Sequence, residues 1–466
     1  MYIKTYIGIC IFFLLSFFFP LLLFKDNFNI TFNAILSYLI VSYASFKLSY
    51  LSIKNEQRLL EMTFLIFTYI WMGLAPLGHS IIGTYNWGVS YYPSLLFTRA
   101  LLMVILGITF YEIGLYWFYK KEKKEKKKGK KTITSTRKMT KQWVLILSLV
   151  SFTLSILLYL KIGGISSMVA TRGELAELNG DKLATSSKLI VSNLKKVPLF
   201  VCLIIVLYLN KLNSQAKGIN KEHLALLVFL LVVNFIISNP VTNGRYWAGT
   251  VLISLLLIVF KWRKYNFSIW VISLVSLLLV VFPYADLFRR GPDAQLKIKA
   301  FSYQLTQKGD YDAFQTLMNT IDYVDLLGVE WGRQFVGAIF FWVPRGIWHS
   351  KPISTGQLVA EFQNYNFTNL SSPLWAESYI NFGCIGIILI FFGYGYLSGF
   401  LQKKFLENNH GNNVSIYRVI FPFLVGYQIF LLRGDLMNGI AFMSFFILLS
   451  VLFIHISPKK IYKLTF

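Results

Sequence analysis

The sequence is poor in acidic residues and cysteine, and it lacks the short motifs of nucleotide- and metal-dependent enzymes. Only 21 of its 466 residues are Asp or Glu, and charged residues of both signs make up 14%. It has no zinc-ligand spacing, no glycine-rich nucleotide loop and no Ser-His-Asp arrangement. We therefore expect no metal, no cofactor and no ATP-driven transport by this chain alone. The three cysteines, Cys10, Cys202 and Cys384, lie in apolar runs and are predicted to be packing residues.

Apolar sequence is abundant instead. Hydrophobic residues make up 55% of the chain and aromatic residues 17%, and apolar runs of about 17 to 25 residues recur along it. This composition predicts an all-α, polytopic integral membrane protein, with a single transmembrane domain over residues 1–466 and about twelve helices. The count between residues 189 and 260 is left open, because Lys195 and Lys196 interrupt the sixth run. Either that helix is short and tilted, or the lysines face a wet cavity.

Positive charge is concentrated on one side of the predicted bundle. The net charge is +25, and alternate assignment of the loops to two sides puts most of this excess on one of them. The positive-inside rule makes that side cytoplasmic, and both termini fall there. The strongest marker is the run KKEKKEKKKGKK, inside a basic cytoplasmic loop over residues 119–142. The chain therefore has the lipid bilayer as a partner, and no nucleic acid is expected.

Two predicted outer loops are long enough to carry function. One covers residues 161–188, and the other covers residues 286–376, far longer than ordinary connections. Within the large loop, apolar residues at helical spacing predict an amphipathic helix from Asp310, as N-cap, to Gly328, as the stop. The apolar run from Gly332 to Pro344 is too short to cross a bilayer, so we expect it in the membrane interface.

Arginines on the predicted outer side need an explanation, because short outer turns normally contain few basic residues. Arg99 lies within the apolar layer itself, where a guanidinium normally faces a cavity or a partner. Several converging guanidinium groups can hold a diphosphate without a metal. The alternative is local pairing, for example of Arg172 with Glu174 or of Arg433 with Asp435. The predicted diphosphate-binding residues are Arg172, Arg245, Arg289, Arg290, Arg333 and Arg433, with Arg345 placed at the catalytic step.

Carboxylates are scarcer and therefore more informative. Glu377 follows the large loop directly, where it can act as a general base for a sugar hydroxyl or pair with an arginine. Asp310 and Asp312 either form a helix N-terminus or take part in catalysis. His349 and Lys351, also in the large loop, are further candidates for the acceptor side of the site.

Three stretches of the sequence resemble the bacterial oligosaccharide repeat-unit polymerases of the Wzy type. They are the run Gly309–Phe314 (GDYDAF), the run Phe341–Pro352 (FWVPRGIWHSKP) and the run Glu377–Gly383 (ESYINFG), followed by Gly386. The resemblance implies a GT-C-like membrane glycosyltransferase in the bacterial plasma membrane. Such an enzyme joins oligosaccharides carried on undecaprenyl diphosphate at the outer leaflet, and a flippase and a chain-length regulator are expected as partners.

Three other classes remain as alternatives: a lipid-linked-oligosaccharide flippase, an O-antigen-ligase-type enzyme and another polyprenyl-dependent glycosyltransferase. A flippase would not need a structured outer loop of this size. Ligases place a histidine just before the helix that begins here near Glu377, and Ser371-Ser-Pro occupies that stretch. Transferases that use polyprenyl monophosphate sugars often have an acidic pair in the first outer loop, which offers only Asp26.

Overall fold

The fold was taken from a computed structural model, which describes residues 2–24, 30–127, 132–138, 141–171, 174, 185–216, 221–263, 265–289, 298–408, 414–455 and 459–465. Within these ranges, ten helices are long and apolar enough to cross a membrane. In chain order they are α1 (Tyr2–Leu21), α2 (Phe32–Lys54), α3 (Leu59–Ile82), α4 (Ser94–Lys127), α5 (Lys141–Ile162), α6 (Thr185–Ala216), α9 (Asn266–Ala285), α14 (Leu374–Asn408), α15 (Ile416–Arg433) and α16 (Leu436–His455).

The prediction of an all-α polytopic membrane protein is confirmed, but the count of twelve spans is not. The predicted seventh and eighth spans are present as α7 (Lys221–Ile237) and α8 (Arg245–Val259), with 17 and 15 residues. At about 1.5 Å per residue these helices are shorter than the roughly 30 Å hydrocarbon layer. Lys196 does not shorten α6, which is continuous. Its ammonium group is buried and donates a hydrogen bond to Asn243 Oδ1 at 3.0 Å.

The helices pack into two cores that share α8, α15 and α16. The first core contains buried residues of α1–α4, α9 and α14, together with Ile253 of α8 and Leu436 of α16. The second contains buried residues of α5–α8 and α16. Both include α15, which places Phe421 in the first core and Phe423 in the second. The end of α15 therefore lies where the two halves of the bundle meet.

The large loop is helical and packed into the bundle. It contains α10 (Phe301–Gln307), α11 (Ala313–Leu327), α12 (Arg333–Ile339) and α13 (Thr355–Phe362). The predicted periodicity holds for the first half of α11, where Phe314, Leu317, Met318 and Ile321 are fully buried. Gly328 ends the helix as predicted, but Asp310 as its N-cap is wrong. A short 3-10 turn, Gly309–Tyr311, precedes α11 and frees the Asp310 carboxylate for tertiary contacts.

Helix α14 is broken near its first turns. Gly383 has φ +59° and ψ −144°, a conformation that a residue with a side chain rarely adopts. Asn381 stabilises the break: its Oδ1 accepts from the backbone N–H of Gln334 at 3.1 Å, and its Nδ2 donates to Glu377 O at 2.7 Å. The segment before the break carries Glu377.

Two short strands complete the structure. β1 (Thr132–Lys138) and β2 (Lys459–Thr465) pair in antiparallel register, from Thr132 opposite Thr465 to Lys138 opposite Lys459. β1 belongs to the predicted basic loop and β2 to the C-terminal segment. The pairing therefore places these two basic segments side by side.

Candidate active site

A buried ion pair joins the start of α8 to the 3-10 turn of the large loop. Arg245 Nη2 donates to Asp310 Oδ1 at 2.6 Å, and Nη1 donates to Oδ2 at 3.3 Å. The same Nη1 also donates to Phe282 O at 2.8 Å. Lys308 Nζ lies 3.3 Å from Asp310 Oδ2. Two cations therefore surround one carboxylate in this part of the site.

A second buried ion pair lies beside the first. Arg433, the last residue of α15, donates through Nη2 to Asp312 Oδ1 at 2.9 Å and to Gly309 O at 2.7 Å. Asp312 is 1% exposed and also accepts from Ser371 Oγ at 2.6 Å and from Trp87 Nε1 at 3.3 Å. Burial raises the pKa of Asp312, and the Arg433 charge opposes that shift.

Two more carboxylates meet at the start of α16. Glu377 is 1% exposed and accepts from Thr355 Oγ1 at 2.7 Å and from the Leu436 N–H at 3.0 Å. Asp435 accepts from the Met437 N–H at 2.9 Å and the Gly356 N–H at 3.1 Å. Both carboxylates thus use free N–H groups of a helix N-terminus, which favours negative charge. Burial raises the pKa of Asp435.

The turn Arg433-Gly434-Asp435 connects these groups. Arg433 points to Asp312, whereas Asp435 bonds to Gly356 at the start of α13. The facing turn of the large loop is fixed through Asp310, whose backbone carbonyl accepts from Trp71 Nε1 at 2.9 Å. The sequence alternative in which charged groups pair locally does not hold for Arg433, because its partner lies 121 residues away.

Other predicted residues of the large loop are not part of this cluster. Arg345 is exposed and donates to two backbone carbonyls, Lys351 O at 2.7 Å and Pro352 O at 3.2 Å. Arg333 is exposed and donates to Ser350 O at 3.1 Å. Lys351 is buried and donates to Phe341 O and Val343 O, at 2.7 and 2.9 Å, and burial lowers its pKa. His349 is exposed. The hydrogen bonds of Arg333, Arg345 and Lys351 to backbone carbonyls hold the loop around Arg345 in a defined shape.

Three of the predicted arginines have side chains outside the described part of the structure. Arg172 and Arg290 lie outside the described residues, and Arg289 ends a 3-10 turn, Phe282–Arg289, whose last side chains also lie outside them. Arg99 has the partner expected of a membrane-boundary arginine, a bidentate contact to Asp325 at 2.5 and 2.9 Å. This pair is about 40% exposed on both sides.

Sequence reasoning missed several members of the cluster. Asp312 was considered only as a helix N-terminus or a catalytic group, and Asp435 only as a local partner of Arg433. Trp87 and Ser371, which both bond to Asp312, were not singled out at all. The only local clue was the repeated acidic position in Asp310-Tyr311-Asp312, facing the Arg-Gly-Asp turn from far along the chain.

Together, the helices and the cluster define a multi-pass α-helical membrane protein with an ion-paired polar site at the ends of α8, α14, α15 and α16. The chain belongs to the family of the O-antigen polysaccharide polymerase Wzy, whose family model matches residues 6–464. This match confirms the resemblance and makes the protein a glycosyltransferase-type polymerase of the inner membrane, with lipid-linked oligosaccharides as its class of substrate. Neither the curated proteins nor the solved structures gave a match.

Proposed function

We propose that this polymerase transfers a growing glycan from undecaprenyl diphosphate to the sugar end of a second lipid-linked repeat unit at the outer leaflet. The observation that carries the proposal is the buried cluster of Arg245, Arg433, Asp310 and Asp312 beside Glu377 and Asp435. A glycosyl transfer needs a cationic group for the departing diphosphate and a base for the attacking hydroxyl. The cluster contains both kinds of group within one site.

The binding of the diphosphate is assigned first to Arg433. Its Nε atom and the hydroxyl of Tyr246 are buried donors with no hydrogen-bond partner among the described residues. The guanidinium carbon lies 5.3 Å from the centre of the Tyr246 ring, so the two side chains are neighbours. Buried donors normally have acceptors, and a phosphate oxygen is an acceptor that suits both. Arg245, on the neighbouring ion pair, adds positive charge to the same region.

The base is assigned to Glu377. Thr355 and the Leu436 N–H fix its two oxygens in different directions, so the carboxylate cannot rotate freely. Such a fixed carboxylate can orient an acceptor hydroxyl and take its proton as the new bond forms. The broken α14 contributes here, because its first turns aim Glu377 at the start of α16.

We assign a different role in substrate binding to the exposed arginines of the large loop. Arg345 and Arg333 are solvent-accessible guanidinium groups, and backbone carbonyls rather than carboxylates accept their hydrogen bonds. Arg333 Nη1 also lies 3.7 Å from Glu330 Oε2, but the arginine is 55% exposed and the pair contributes little. They can therefore meet the incoming diphosphate before it reaches Arg433. Arg172, Arg289 and Arg290 keep the same proposed role from the sequence, with His349 on the acceptor side.

The decisive experiment incubates the purified full chain in nanodiscs with undecaprenyl-diphosphate repeat units from its own host and separates the products on a gel. A ladder of repeat units, formed without added ATP or nucleotide sugar, supports the proposal. Glu377→Gln keeps an acceptor oxygen for the Leu436 N–H and turns an amide donor toward Thr355 Oγ1, so it preserves the shape of the site without a base. It should lower the rate by about 100-fold or more. Arg345→Ala should abolish polymer while leaving membrane insertion intact, because the incoming diphosphate then lacks this exposed guanidinium. Full-length polymer from that variant would remove Arg345 from diphosphate binding.

The matched control for both variants is Lys299→Ala, which removes an exposed basic side chain of the same loop that lies over the Tyr303 ring at 4.3 Å and has no part in the proposed reaction. This variant should leave the rate unchanged. If the host repeat unit stays monomeric with the wild type but crosses the bilayer of a liposome, the proposal fails and the chain is a transporter. Metal independence is tested in the same assay: the ladder should survive EDTA.

A further inference from the structure

Three aromatic rings lie side by side next to the charged cluster of Arg245, Arg433, Asp310 and Asp312. The ring centres of Trp87 and Phe367 are 4.4 Å apart, and those of Phe367 and Tyr365 are 5.4 Å apart with nearly parallel planes. We call Trp87, Tyr365 and Phe367 the aromatic platform. Trp87 is 40% exposed, and Tyr365 and Phe367 are half-buried. Tyr365 and Phe367 pack on one side against the small core of Val359, Ala360 and Leu370, and all three rings keep accessible surface.

The backbone at Trp87 is held in a costly conformation. Its φ is +61°, in the left-handed region where a bulky residue is rarely found. Its indole lies directly over Gly309, where an added Cβ would come within 1.9 Å of the ring. Backbone strain of this kind persists where the surrounding structure enforces it, and it concentrates at functional sites. The strain here places the indole beside the Asp310 and Asp312 turn.

The platform has a polar rim on two sides. On one side Trp87 Nε1 donates to Asp312 Oδ2 at 3.3 Å, so the indole touches the carboxylate that Arg433 pairs with. On the other, Tyr365 Oη accepts from Asn319 Nδ2 at 3.0 Å and from Gln315 Nε2 at 3.3 Å. An apolar face bordered by fixed polar groups matches a pyranose ring, which has a C–H face and hydroxyl groups around its edge.

We propose that the aromatic platform is a saccharide subsite that stacks a sugar ring of the donor, next to the diphosphate. This inference rests on the proposed function, since it takes the phosphate end of the donor to lie at Arg433. Asp312 bonds to both Arg433 and Trp87, so a sugar attached to that diphosphate lies within reach of the indole. The platform positions the sugar, and the neighbouring charged groups act on the bond.

The test uses the full chain in nanodiscs and a probe without lipid or phosphate: the free repeat-unit oligosaccharide released from the host's own polymer. Binding is measured by calorimetric titration, with saturation-transfer NMR to identify the sugar protons in contact. Trp87→Ala and Phe367→Ala should each weaken binding by about 10-fold, the size of one lost aromatic contact. Trp87→Phe keeps a ring face without the indole N–H and should stay within about 3-fold of the wild type.

The matched control is Trp331→Ala. Trp331 is also a loop tryptophan with positive φ, +47°, and it is 81% exposed, but it lies at the start of α12. The Trp331→Ala protein should bind the probe with the same affinity as the wild type. The Phe367→Ala variant guards against misfolding at the strained Trp87 position. The proposed saccharide subsite would be refuted if both Trp87→Ala and Phe367→Ala bound the probe with wild-type affinity. It would also be refuted if the wild type did not bind the probe.

Gel ladders from the same preparations keep the two proposals separate. If the wild type forms a ladder and the platform variants bind the saccharide as tightly as the wild type, the polymerase proposal stands. The assignment of the platform as a saccharide subsite is then wrong. Binding that depends on Trp87 and Phe367, without a ladder from the native lipid-linked unit, supports the platform and refutes the proposed reaction.

Discussion

Removal of Arg433 should show how much the buried ion pairs contribute to stability, because it leaves the buried Asp312 carboxylate without its cation. Arg433 Nη2 supplies two hydrogen bonds, to Asp312 Oδ1 and to Gly309 O. In Arg433→Met the carboxylate retains Ser371 and Trp87 as donors but loses its cation. Breaking a buried pair on one side typically costs about 3–5 kcal/mol. Since the unfolding entropy grows with chain length, the melting midpoint should fall by at least about 3 °C.

The double variant gives the sharper measurement. In Arg433→Met with Asp312→Asn no buried charge is left unpaired, so part of the loss should be recovered. We expect a coupling of about 2 kcal/mol, within the range for residues in direct contact. Melting midpoints of the four proteins in nanodiscs, measured by scanning fluorimetry, provide the cycle.

Arg99→Met is the matched control, because the Arg99–Asp325 pair has equally short contacts but about 40% exposure. Exposed pairs contribute about 0–1 kcal/mol. If Arg433→Met lowers the midpoint no more than Arg99→Met does, burial does not set the strength of these pairs and the reasoning about the site is wrong.

Further predictions concern the helix break and the buried carboxylates. Gly383→Ala should lower the free energy of unfolding by about 1–3 kcal/mol, because φ +59° is unfavourable with a side chain. It should also reduce the amount of polymer by misplacing Glu377. Gly393→Ala is the control: an added Cβ meets nothing within 4 Å there, so the gel ladder should be unchanged. Burial raises the folded pKa of Asp435, so its protonated form stabilises the fold at low pH and this contribution is lost as pH rises from about 3.9 through the raised value. The wild type should therefore lose stability relative to Asp435→Asn over that window, and parallel melting curves for the two proteins would contradict this sign.

Part of the site could be predicted because its features are local in the sequence. The apolar spacing of Phe314, Leu317 and Ile321 predicted the buried face of α11, and Gly328 predicted its end. The same locality explains the errors. Asp310 looks like an N-cap in sequence, yet its carboxylate pairs with Arg245, 65 residues away, and the helix begins later. A distant partner outweighs a local hydrogen bond here, and no sequence pattern records it.

By itself, the sequence determined that this protein is a bundle of membrane helices with a structured large loop and basic loops, because hydrophobicity and charge act residue by residue along the chain. Only the tertiary structure decided which charges meet. Arg433 and Asp312 are separated by 121 residues, and Trp87 and Asp312 by 225, so their pairing depends on how whole helices pack. It also decided that Arg345 stays exposed while Arg245 is buried. Burial strengthens a charge contact and makes its loss costly, and burial is a property of the folded chain.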